Sequence, residues 1–278
     1  HILTFVIRYA LKILDKSVLN YAISFAAWSQ RLLLSRYVKN VKCAGIPCTF
    51  ICADPLKNMQ DVNILVYFHG GGYVLGRSDM YLVHLYRICE KLKDSNFGIL
   101  SVEYPLAPKN PHPRAINAAF KVYEWCLLKC SRSILIGGDS AGGGLSLATA
   151  LMAQEKQMRK PDAMVLISPW VDHTVEYKET KCLDMLTKEA IKDLSSLYRC
   201  DAKISANLPK ISPIFAEKKK LLQLPKMLVL LGENEMFYDQ VIRFVQKLSL
   251  DQYKLHVREG GIHVWGIMSV VDSNAGKE

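Results

Sequence analysis

Apolar and polar positions change their spacing repeatedly along the chain. Short β-rich runs fall at 62–68, 97–103, 133–137, 163–167, 226–231 and 253–257. Between them, Leu82, Leu85, Tyr86, Cys89 and Leu92 recur at helical spacing, as do Ile116, Ala119, Phe120 and Tyr123, and later Val241, Phe244, Val245 and Leu248. Each stripe predicts a helix that lays one face on a sheet. Strands alternating with helices in this way predict βαβ units and an α/β fold, with a mostly parallel central sheet covered by helices on both faces. The stretch 172–213 breaks the alternation, with a helix around 188–198 and no strong strand, and reads as an insertion. Residues 2–34 are unusually apolar, interrupted by Arg8, Lys12 and Lys16, and predict one or two amphipathic helices that pack over the core or lie on a membrane surface.

Composition narrows the classes. With 278 residues, 50% hydrophobic and 22% charged, the chain can bury a sizeable core, which excludes a disordered tail or a disulfide-stapled miniprotein. A net charge of +10 raises nucleic acid and anionic membranes as partners. The basic residues are spread along the chain, however, and the one tight run, Lys218 to Lys220, sits beside Glu217 in what reads as a loop, so no nucleic-acid site is expected. The eight cysteines contain no CxxC pair, and no metal site is expected; Cys43, Cys48 and Cys52 read as small hydrophobes or a local disulfide. The longest uncharged N-terminal stretch, 17–30, is too short to span a bilayer. The chain starts at His1 rather than Met, so an upstream segment is expected. Location stays open between the cytoplasm and an endoplasmic-reticulum membrane reached through such an anchor.

Two glycine-rich elements fall at strand ends, where open α/β sheets place their sites. The first is His69-Gly70-Gly71-Gly72, whose glycines allow a sharp turn and leave N–H groups free to donate. The second is Gly138-Asp139-Ser140-Ala141-Gly142, a G-x-S-x-G turn between the 133–137 strand and a helix through Leu145, Ala148 and Met152. A serine hydroxyl needs a base, and the base needs an acid to orient it. Of the histidines after Ser140, His173 and His256 are weaker candidates, the latter inside a strand pattern; His263, in Gly260-Gly261-Ile262-His263, is the better base. Glu233, Glu235 and Asp239 all follow the 226–231 strand, and position alone does not separate them.

Together with Glu103-Tyr104-Pro105-Leu106-Ala107-Pro108, Ile167-Ser168-Pro169-Trp170, Ser212-Pro213 and the final Gly-x-x-His, these motifs resemble the hormone-sensitive-lipase family of α/β-hydrolases, over roughly residues 60–270. That resemblance implies a catalytic triad of Ser140, His263 and Glu235, because the family's acid segment aligns with Glu235 through Asp239. Asp239 is the second choice. The sequence departs from the family by carrying Glu and by lacking the Pro and Leu that follow the acid. The resemblance further implies an oxyanion hole of the Gly71, Gly72 and Ala141 N–H groups, no cofactor, and a structural role for His69 and Asp139. It implies cap helices and a lead-in over 1–50 and a hydrolase domain over 51–278 with a cap insertion at about 172–210. The expected activity is a serine carboxylesterase or deacetylase of small to medium lipophilic esters, acetylated sterols and aryl acetates among them. An amidase such as an arylformamidase, or a non-catalytic small-molecule binder, are the alternatives.

Overall fold

The computed structural model describes residues 15–130, 132–174 and 184–267. Its centre is an eight-stranded sheet in the order β1-β2-β4-β3-β5-β6-β7-β8, built from β1 (Val38–Cys43), β2 (Ile46–Cys52), β3 (Asn63–Phe68), β4 (Phe97–Val102), β5 (Ile134–Asp139), β6 (Ala163–Ile167), β7 (Met227–Gly232) and β8 (Tyr253–Arg258). The β1–β2 and β2–β4 pairs are antiparallel and the remaining pairs parallel. The α-helices of the described residues are α1 (Lys16–Leu33), α2 (Leu82–Lys91), α3 (Arg114–Lys129), α4 (Ala141–Glu155), α5 (Lys188–Tyr198), α6 (Lys218–Leu221) and α7 (Tyr238–Val245). Two apolar clusters lie on opposite faces of the sheet, the larger built on Phe50, Val66, Phe68, Phe120 and Phe244, the other on Ile51, Leu65, Tyr67 and Leu85.

The six expected strands and the five expected helices after residue 60 are present, with ends shifted by a few residues. Two expectations change. The sheet begins before residue 62: β1 and β2, over residues 38–52, form a hairpin at its edge. Ala44 (φ 50) and Gly45 (φ 79) make its two-residue turn, the left-handed pair that suits the strand twist. Only Val38 and Cys43 of β1 are buried, and its two lysines, Lys39 half-buried and Lys42 exposed, make a charged edge that discourages pairing with other chains. The lysines at 218–220 form the single turn α6 instead of a loop.

The N-terminal amphipathic expectation is met by α1, capped by the Asp15 carboxylate accepting from the Ser17 N–H at 2.7 Å. Its continuation over 1–14 and the 175–183 part of the insertion lie outside the described residues. The rest of the insertion carries α5, whose N-cap Thr187 accepts from the Ala190 N–H. The seven described cysteines are unbridged, and six are buried.

The strand order reverses at β3, and this positions the site. The chain leaves β3 for β4 on one side and returns to β5 on the other, opening a crevice at the carboxyl ends of β3 and β5. Phe68 pairs with Gly138 across these strands, so the HGGG and GDSAG turns, 69 residues apart between Gly70 and Asp139, start side by side.

Candidate active site

Ser140 sits at φ 51 and ψ −118 between β5 and α4, a backbone region costly for a residue with a Cβ. The turn is held by its neighbours. The Ser140 N–H donates to the Ile167 carbonyl at 2.8 Å, and its own carbonyl accepts from Gly144 and Trp170 at 3.2 and 2.9 Å. Close approach demands glycine at 142, where an added Cβ would lie 1.9 Å from the Phe68 carbonyl oxygen.

The His263 Nε2 is 2.9 Å from Ser140 Oγ, and both residues are buried. Its Nδ1 faces Glu235 Oε2 at 3.9 Å. Burial pushes the imidazole down to about 3, and burial likewise pushes the Glu235 carboxyl well above the usual carboxylate range. Two donors oppose that shift by holding the ionised form: the Ser168 hydroxyl at 2.5 Å and the Gly232 N–H at 3.1 Å, both on Oε2. Phe237 packs edge-on against the imidazole, with centroids 4.8 Å apart. Asp239 is elsewhere, in the first turn of α7, and Glu235 is the described carboxylate within ion-pair reach of His263.

Gly71 (φ 110) takes a left-handed conformation, and an added Cβ would meet the Leu75 carbonyl oxygen at 2.1 Å. The N–H groups of Gly71, Gly72 and Ala141 make no hydrogen bond to another described residue, and Gly71, Gly72 and Ser140 line one cavity. This pattern suits an anionic oxygen beside Ser140 Oγ.

Asp139 binds the two turns together. Its carboxylate accepts from the Tyr67 hydroxyl (2.7 Å), the Gly70 N–H (2.9 Å) and the Tyr81 hydroxyl (3.1 Å), while burial raises it to about 6. His69 is buried, stacks on Tyr104 at 4.3 Å and donates from Nδ1 to the Gly70 carbonyl. His173 belongs to an aromatic cluster with Trp170 and Tyr198, and His256 packs near Trp265 on β8; neither contacts Ser140.

Two residues at the site carry roles that the sequence reading lacked. Ser168, known only as part of Ile167-Ser168-Pro169-Trp170, donates to Glu235 and accepts from the Val264 N–H at 3.0 Å, so it locks the acid loop to the histidine loop. Its φ of 46 is the strain this placement requires. Asp184, from the insertion, accepts from the His263 N–H at 2.9 Å through Oδ1 and from the Met236 N–H at 2.8 Å through Oδ2. One buried carboxylate from the insertion therefore fixes both loops, and an isolated Asp before an apolar pair offered no pattern by which to find it. Asp184→Asn keeps one acceptor and turns the other into a donor facing an N–H. It is expected to cost about 1.5 to 3 kcal/mol of stability, read by urea unfolding, and to lower kcat more than it raises KM.

The cavity over Ser140 is ≈ 320 Å³ and strongly apolar, with Ile23 and Ala26 from α1, Leu75, Met185, Leu194 from α5, and Phe237 among its walls. It leaves room for an acyl or alcohol group beside the hydroxyl, with few polar groups to select for charge.

Residues 65–267 match a family model described as the alpha/beta hydrolase fold. Among curated relatives, an esterase of Acinetobacter venetianus is 30% identical over 70% of this chain and 64% of its own length. A putative steryl acetyl hydrolase of Schizosaccharomyces pombe is 28% identical over 67% of this chain and 54% of its own, and human hormone-sensitive lipase 34% identical over 52% and 14%. The chain thus spans less than two thirds of the length of these relatives. The crystal structure of EstE5 soaked with p-nitrophenyl butyrate superimposes with a TM-score of 0.74 at 28% identity, covering 86% of this chain and 80% of that one. With the family match spanning most of the sheet and both glycine-rich turns, the chain belongs to the α/β-hydrolases, on the side of the family that holds the hormone-sensitive lipases.

Proposed function

We propose that the protein is a serine carboxylic ester hydrolase acting on small to medium lipophilic esters, acetylated sterols and aryl acetates among them. The observation that carries this reading is the Ser140 hydroxyl 2.9 Å from the His263 Nε2 on a strained turn, opening into an apolar cavity lined by Gly71 and Gly72. Ser140 Oγ attacks the ester carbonyl while His263 Nε2 takes its proton. The oxygen that becomes negative is held by the Gly71, Gly72 and Ala141 N–H groups, each worth about 3 to 4 kcal/mol of barrier in a site of this kind. His263 then protonates the leaving alcohol, and water, activated by the same imidazole, releases the acid from Ser140. Glu235 orients the ring through Nδ1 and stabilises the imidazolium; the 3.9 Å separation is of the kind that tightens when substrate is bound.

The test is initial rates on p-nitrophenyl esters of increasing acyl length, beside a sterol acetate and an aryl formamide. Turnover of the short and medium esters is expected, with rates falling once the acyl chain outgrows the cavity. Faster turnover of the formamide would move the reading to an amidase, and turnover of none would make the protein a binder.

A pH dependence follows from burial. Only neutral His263 can accept the serine proton. Because the buried imidazole is held below its ordinary value, at about 3, it stays neutral as pH falls through 6.5. The part of the acidic limb of kcat/KM that His263 sets is therefore expected below pH 6. A midpoint at or above 6.5, the ordinary imidazole value, would contradict it.

A further inference from the structure

Helix α1 is turned against the usual arrangement of an amphipathic helix. Its inward side is pinned largely by polar groups: the Asn20 side-chain oxygen accepts from the Gly76 N–H (3.1 Å), Gln30 donates to the Met80 carbonyl (3.2 Å) and accepts from the Val83 N–H (3.1 Å), and Arg31 pairs with Asp79 (3.1 Å) and donates to Asn40 (2.8 Å). Ala27 is its one buried residue. Meanwhile Val18, Tyr21, Phe25, Trp28 and Leu32, spaced by three and four residues, form a stripe on the opposite side. Tyr21 is 78% exposed, Phe25 64%, Trp28 55% and Leu32 60%, and Leu33 beside them 79%. Water is a poor neighbour for such a face.

We propose that this face is a docking surface for an anionic lipid bilayer. Two features favour a bilayer over another protein. The stripe combines Tyr and Trp with aliphatic residues, the composition of side chains that settle at the headgroup boundary. The segment that carries it is cationic as well: with Arg31 paired to Asp79, residues 15–50 still hold Lys16, Arg36, Lys39 and Lys42 against the single acid Asp15, within a chain of net charge +10. No described helix is long and apolar enough to cross a membrane; the exposed stripe runs along α1, so docking through it sets the 18 residues of the helix parallel to the bilayer.

The placement also connects docking to the cavity. Ile23 and Ala26, on the inner side of the same helix, form part of the cavity wall over Ser140. A docked α1 holds the cavity against the bilayer, where a lipophilic ester is concentrated; this last step rests on the function proposed above, whereas the docking itself does not.

The experiment is co-sedimentation of the full chain with phosphatidylcholine vesicles that contain or lack phosphatidylserine, without any turnover readout. The wild type is expected to bind the phosphatidylserine vesicles, with a blue shift of Trp28 emission, and to bind the neutral ones more weakly. Phe25→Ser/Trp28→Ser removes two exposed aromatic anchors and no hydrogen bond, and is expected to lower binding by at least about tenfold while leaving hydrolysis of soluble p-nitrophenyl acetate unchanged. Failure of the wild type to bind anionic vesicles, or equal binding by the variant, overturns the proposal. So does a dimer in sedimentation velocity that the double substitution dissociates, which would assign the face to a second copy of the chain. Loss of ester hydrolysis with vesicle binding intact would count against the proposed function and leave the docking surface standing.

Discussion

Replacing Ser140 with Ala is expected to lower kcat/KM on any ester substrate by about a millionfold, and to abolish labelling by a fluorophosphonate probe that modifies the wild type. The loss should not come from unfolding. Alanine keeps the Cβ and therefore the φ 51, ψ −118 strain, and the backbone bonds that hold the turn, to Ile167, Gly144 and Trp170, do not involve the hydroxyl. Thermal unfolding of the variant is thus expected to stay close to that of the wild type, because the one bond lost, between the hydroxyl and His263 Nε2, is a neutral hydrogen bond at the cavity wall, worth about 0.5 to 1.5 kcal/mol. Ser140→Gly separates the two effects further. Without a Cβ the turn loses its strain, of order 1 to 3 kcal/mol, so this variant is expected to be as inactive as Ala and no less stable. Equal labelling of wild type and Ser140→Ala would remove Ser140 as the nucleophile.

The parts of the molecule that could be read from the sequence are those whose physics is local. Strands β3 through β7 are short apolar runs because both faces of the sheet are covered, and Phe68, Ile136 and Val229 are accordingly buried. The two glycine-rich turns announce themselves because backbone passing within 1.9 to 2.1 Å of a Cβ position allows no other residue. Ser140 and His263 followed from turn chemistry and from the order of elements. Elsewhere the deciding contact is long-range. Strand β1 buries only its ends, so its pattern resembles a loop until β2 is placed beside it. Asp184 acts through carboxylate bonds to N–H groups 52 and 79 residues away, for which no spacing rule exists. The orientation of α1 was hidden for a related reason: amphipathicity shows that two faces differ, but the partners of Asn20, Gln30 and Arg31 decide which one turns inward.

The same limit applied to the triad acid, where Glu235 and Asp239 both followed β7 and only the family resemblance preferred the former. Geometry now makes their substitution unequal. Glu235→Gln removes the charge proposed to stabilise the His263 imidazolium, and one amide group must now serve as the acceptor that Ser168, Gly232 and Nδ1 all face in the wild type, the single oxygen Oε2. An amide substituted for the acid of such a triad costs about 10⁴-fold in kcat, and a loss of that size is expected here. Asp239→Asn changes an exposed side chain at the start of α7, where a carboxylate interacts with the helix dipole and contributes about 0.3 to 1 kcal/mol. Its expected effect on kcat is less than about tenfold, with a slight loss of stability. Circular dichroism melts should show both variants folded, since neither removes apolar contact. The ranking is decisive because the two residues lie on consecutive turns of one segment, so a general disturbance of the loop would lower both activities together. A large loss for Asp239→Asn with Glu235→Gln nearly active would transfer the acid role and require His263 to reorient toward α7.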